Sequence, residues 1–119
     1  MSATITWKVT NMDSYPKYDN YTDVVFNVHW DCLGNEEYSG STYNSRVYGV
    51  NGVQFHSGSA FIPYNELTQN DVLTWLFESM GSESKAGYEQ AVQQIIDNQI
   101  NPPVVQLPLP WVTTGSLGQ

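Results

Sequence analysis

His29, Asp31 and Cys32 bring a base, a carboxylate and a thiol within four positions, the residue types of a Cys–His nucleophilic centre or a small metal site. The neighbouring residues decide whether that chemistry is open to them. Val24, Phe26, Val28 and Trp30 alternate with Val25, Asn27, His29 and Asp31, the period of a strand, which places His29 and Asp31 on one face and Cys32 on the other. A thiol and a base on opposite faces of one strand do not share a proton. The plainer reading is a surface His–Asp hydrogen bond and a Cys32 buried as a small apolar side chain. His56 would add a third ligand to His29 and Asp31, but no ligand spacing in the chain supports a metal. There is no phosphate-cradling Gly-rich loop, no Gly-x-Ser-x-Gly turn and no His-Glu-x-x-His helix. Glu36 and Glu37 read as solvated acids in a turn. The chemistry-bearing residues therefore predict no enzyme, no catalytic residue, no cofactor and no metal.

Tyr15, Tyr18, Tyr21, Tyr38, Tyr43 and Tyr48 cluster among Asn and Asp in the N-terminal half. Rings stack on pyranose faces and amides orient hydroxyls, which makes a glycan-binding accessory module one alternative. The simpler account is that Tyr favours strands, with an apolar body and a wet tip.

Twelve acidic residues against four basic ones give a formal charge of −8. The four cations, Lys8, Lys17, Arg46 and Lys85, are scattered and cannot neutralise a row of phosphates, so neither nucleic acid nor an anionic membrane is an expected partner. Ser, Thr, Asn and Gln supply 38 residues against 16 charged ones, a surface suited to hydrogen bonding more than to steering. Cys32 is the only cysteine, which excludes an intrachain disulfide and fits assembly in a cytoplasm. No basic-then-apolar leader and no apolar run of ~18 residues is present, which predicts a soluble protein. Without such a leader the sequon Asn20-Tyr21-Thr22 carries no weight.

The elements that must position these residues follow from periodicity. Ile5, Trp7 and Val9 alternate with Thr4, Thr6, Lys8 and Thr10, predicting a first strand. Asn11 to Asn20 reads as a loop, Asp23 to Asp31 as the second strand, Leu33 to Glu37 as a turn, and Tyr38 to Val50 as a third strand. Asn51-Gly52 is the pair a two-residue hairpin prefers, with Val53 to His56 as a fourth strand. After Pro63 the period becomes helical. Thr68 is an N-cap with Asp71 at the third helical position and Leu67 placed to staple against Val72. Val72, Leu73, Leu76, Phe77 and Met80 form the stripe, and Gly81 ends the helix. A second helix is predicted from about Lys85 to Ile100, with Tyr88, Val92, Ile95, Ile96 and Ile100 as its stripe and Pro102 as its stop. Prolines 102, 103, 108 and 110 then exclude a helix or a regular central strand. This stretch still carries Val104, Val105, Leu107, Leu109 and Trp111, which makes it the candidate interface, with Trp111 as anchor.

The ordered set Ile5-Thr6-Trp7-Lys8-Val9, Thr22-Asp23-Val24-Val25-Phe26-Asn27-Val28-His29-Trp30, Arg46-Val47-Tyr48-Gly49, Phe61-Ile62-Pro63-Tyr64, Leu67-Thr68, Ile100-Asn101-Pro102-Pro103 and Leu107-Pro108-Leu109-Pro110-Trp111 resembles a family of small proteins encoded by tailed bacteriophages, notably phages of cyanobacteria. The resemblance covers nearly the whole chain and brings no catalytic residue with it. It implies a virion-associated structural protein. Gly34 to Ser41 looks longer than that family's usual hairpin, and Val112 to Gln119 extends past its usual terminal Trp.

The expectation is one α+β domain over residues 1–101, an antiparallel sheet packed with two C-terminal helices, followed by an extended Pro-rich arm over 102–119. The expected function is a non-enzymatic bacteriophage structural protein, a head-decoration or tail-associated component assembled in the host cytoplasm. Its expected partners are other virion proteins, including copies of itself. The alternatives are the glycan-binding module and a small phage protein that binds a host factor.

Overall fold

A computed structural model describes residues 3–55, 58 and 61–111. Three strands, β1 (Thr4–Tyr18), β2 (Tyr21–Tyr38) and β3 (Ser41–Gly52), form an antiparallel sheet in the order β1-β2-β3. A 3₁₀ turn (Tyr64–Glu66) leads into helix α1 (Gln69–Ile100). The α+β class and the antiparallel sheet are as the periodicity predicts, and Ile5, Trp7 and Val9 pack toward the core.

The strands run longer than their composition suggests. The predicted loop at 11–20 is strand up to Tyr18, and only Asp19 and Asn20 turn. Pro16 is accommodated because the ladder passes from Tyr15↔Val24 to Lys17↔Thr22 and skips the intervening pair. The predicted turn at 33–37 is also strand: Gly34 pairs with Ile5 on one side and Ser45 on the other. The true reversal is Ser39-Gly40, with φ of +51° and +81°, the left-handed pair a two-residue hairpin requires. Gly34 answers a different need, because a Cβ there would collide with the Val92 side chain and stand 2.8 Å from Ser45 Oγ. Asn51-Gly52 makes no hairpin. Val53 continues the ladder by one rung, its N–H donating to Phe26 O at 3.0 Å, and residues 53–55 form no fourth strand. His56 lies outside the described residues.

α1 is two helical segments that meet at a kink. Gly81 (φ +83°, ψ 160°) is the only non-helical residue within α1, so the first segment ends at this glycine as predicted, and the second follows at once, with 82–84 helical instead of a linker. The start is as predicted: Thr68 Oγ1 accepts from Asp71 N–H and Asp71 Oδ2 accepts from Thr68 N–H, both at 3.1 Å, a reciprocal capping box. Gln69 Oε1 accepts from Val9 N–H on β1, while Ser79 Oγ donates to Gly52 O on β3. The first half of α1 therefore crosses the sheet. Past Gly81, Tyr88 meets Trp30, Gln93 bonds Glu36 and Gln99 bonds Asn44 O, so the second half runs along β2 and β3. Val72 and Leu76 of the first half and Val92 and Ile96 of the second are the buried residues of α1, set over Val28, Trp30 and Cys32.

Residues 101–111 contain neither helix nor strand. The expected arm over 102–119 is described only as far as Trp111.

Candidate interaction surface

α1 covers one face of the sheet and leaves the other open. The alternation of β2 sends Cys32 and His29 to opposite sides. Cys32 is fully buried in the core, and burial pushes its thiol up to about 11. His29 stands on the open face, its Nε2 2.8 Å from Asp13 Oδ2. That hydrogen bond holds the Asp13 carboxyl below its ordinary value. Asp31 pairs with Arg46 at 3.0 Å instead of with His29. Asn35 Nδ2 donates to Asn44 Oδ1 at 2.7 Å, so the open face carries a line of cross-strand polar pairs satisfied within the chain. Among the described residues no three His, Cys, Asp or Glu side chains gather as metal ligands.

Glu36 corrects the sequence reading: it is buried, and Gln93 Nε2 donates to it at 3.0 Å. Its partner lies 57 positions away, and no local pattern announces it. Glu37 is exposed.

The tyrosines divide. Tyr15 stacks on Phe26 with centroids 4.1 Å apart and on Tyr18 at 5.8 Å. Tyr18 and Tyr21 both meet Phe55 edge-on. These rings spend their faces on one another and brace the far end of the β1–β2 hairpin. Tyr48 differs. It is 69% exposed, with only the Arg46 guanidinium over its ring, and Val50 beside it on the same face is 52% exposed.

Val104, Val105, Leu107, Leu109 and Trp111 are all exposed, from 54% at Leu109 to 82% at Val104. Surface apolar residues met singly need no explanation, but five within eight positions concentrate apolar side chains in water. Hydrophobic composition revealed this stretch in the sequence. The Tyr48–Val50 patch was missed, since a strand residue's face is known only when the covering helix is placed.

No helix among the described residues is long and apolar enough to cross a membrane. The chain belongs to the family described as domain of unknown function DUF7936, whose model matches residues 2–111. No curated protein and no solved structure matches it.

Proposed function

We propose that this member of the family is a non-enzymatic structural protein of a tailed bacteriophage, attached to the head or tail of the virion through protein contacts of residues 102–111. The observation that carries this reading is the exposure of Val104, Val105, Leu107, Leu109 and Trp111 beyond the end of α1. Four prolines stiffen the same stretch, which lowers the entropy lost on docking. The phage-like motifs spread from Ile5 to Trp111 supply the setting, and other virion proteins, including copies of this chain, are the partners. Mass spectrometry of purified particles tests the assignment. Several copies per particle are expected for the native chain. A variant with Leu107→Ser, Leu109→Ser and Trp111→Ser should melt as the native protein does and be missing from particles. Absence of the native chain from particles, or full incorporation of the variant, overturns the reading.

A further inference from the structure

The outer edge of β3 and the segment after α1 have matching parity. Ser39-Gly40 closes a two-residue hairpin, so Tyr38 and Ser41 exchange backbone bonds and the odd residues of β3 face β2. The even residues turn their N–H and C=O outward. The structure bears this out at both ends, since Asn44 O accepts from Gln99 Nε2 and Gly52 O accepts from Ser79 Oγ. Between these two ties, the outward N–H and C=O groups of Arg46, Tyr48 and Val50 have no partner among the described residues. Their side chains rise on the open face, where Tyr48 and Val50 are exposed.

In residues 104–111 the odd positions are Val105, Leu107, Leu109 and Trp111, each with an intact N–H and each apolar. The even positions are Val104, Gln106, Pro108 and Pro110. Extended, this stretch has one edge full of donors whose side chains form an apolar face, and a second edge that prolines close. That is the pattern of a strand built to be outermost in a sheet.

We infer that residues 104–111 add as a fourth, antiparallel strand to the free β3 edge of a second copy of this chain, with Val105 opposite Val50, Leu107 opposite Tyr48 and Leu109 opposite Arg46. This rests on the reading of residues 102–111 as a contact segment. Directly opposed residues in an antiparallel pair share a face, so the pairing that satisfies the free backbone groups also lays Val105 and Leu107 against Val50 and Tyr48. Pro108 and Pro110 then face outward and stop further addition. The partner is another copy for a reason of reach. Gln99 ties the end of α1 beside Asn44, and Val50 lies six residues along β3, about 20 Å away at ~3.3 Å per residue. Asn101 to Val105 spans at most about 14 Å. The chain cannot lay this segment antiparallel on its own edge.

Two single proline substitutions in the full chain separate the edges. Leu107→Pro removes an inward donor and Gln106→Pro an outward one. By sedimentation, the native protein self-associates, Leu107→Pro weakens association by about tenfold or more, and Gln106→Pro leaves it nearly unchanged. Leu107→Ala, which keeps the donor, falls between them. Mixing Tyr48→Cys chains with Leu107→Cys chains under oxidation gives an intermolecular disulfide that Gln106→Cys does not give. A monomeric native protein at its highest soluble concentration, or equal effects of the two prolines, overturns the pairing. A chain that is monomeric yet present in particles removes the pairing and leaves the virion assignment standing. A chain that associates with the stated parity but is missing from particles does the reverse.

Discussion

Trp7 on β1 and Glu89 on α1 are joined across the edge of the core: the indole Nε1–H donates to Glu89 Oε2 at 2.8 Å, and Lys85 Nζ donates to the same oxygen at 3.0 Å. Burial pushes the Glu89 carboxyl up, but the Trp7 and Lys85 hydrogen bonds together outweigh it and leave its pKa below the ordinary 4.5. One carboxylate thus holds the half of α1 that follows Gly81 to the first strand.

A carboxyl whose pKa falls on folding stabilises the protein while ionised. Its contribution is complete above the unfolded value of 4.5 and is lost as pH falls through the lower folded value. Asp13, also lowered, acts with the same sign. Melting temperature followed from pH 7 into the acid range should therefore drop below about pH 4.5, and Glu89→Gln should flatten that drop. Glu89→Leu, which strands the indole N–H, should cost about 1–3 kcal/mol at neutral pH. An unchanged acid limb in the Gln variant would remove Glu89 from this role.

The capping box predicts a loss of about 1 kcal/mol for Thr68→Ala and a smaller one for Asp71→Ala. Because the two bonds are reciprocal, the double variant should lose less than the two singles combined. Urea unfolding reads all three, and strict additivity would argue against the box.

Two glycines should respond in opposite directions. Gly34→Ala drives a methyl group into Val92 where helix and sheet meet, and overpacking of this kind costs about 1–3 kcal/mol. Gly87 lies within α1 with nothing near its missing Cβ, so Gly87→Ala should stabilise by about 0.4–1 kcal/mol. Thermal unfolding of the pair tests whether α1 sits at this distance from the sheet.

Cys32 should ignore thiol reagents in the folded protein, because it is fully buried and burial raises its thiol to about 11. A chromogenic disulfide reagent at pH 8 should show no reaction until urea reaches the unfolding transition. Rapid labelling of native protein would contradict its position.

The parts of this fold legible in the sequence are those fixed by neighbours in the chain. Ile5, Trp7 and Val9 alternate because one strand face is buried, and Thr68 with Asp71 marks a helix start through bonds three residues long. The extension of β1 through Asn11, Asp13, Ser14 and Pro16 was hidden by its polar composition, because its order comes from pairing with β2 and from aromatic packing contributed by Tyr15 and Phe26. Gly34 looked like a turn because glycine's commonest use is conformational, yet its reason is a helix 58 positions later. Gly81 was legible as the end of the first helical segment, whereas the immediate start of the second was not, since Ser82, Glu83 and Ser84 carry no helical signal of their own. Among the candidate residues, the hydrophobic set from Val104 to Trp111 was legible from composition. The complementary edge of β3 required the positions of Gln99 and Ser79.

β3 pairs with β2 from Asn27 to Tyr38 and Val53 adds one rung at Phe26, so the stretch from Tyr21 to Val25 and its partners on β1 stand as a two-stranded ribbon outside the three-stranded sheet. Amide protection against deuterium should therefore be layered along the molecule. The ribbon opens as its own cooperative unit, held by Tyr15, Tyr18, Tyr21 and their ring partners, while amides of Val28, Trp30 and Cys32 exchange only when the whole domain unfolds. A substitution that unstacks the ribbon, such as Phe26→Ala, would speed exchange at that end and leave the slowest amides at their native rates.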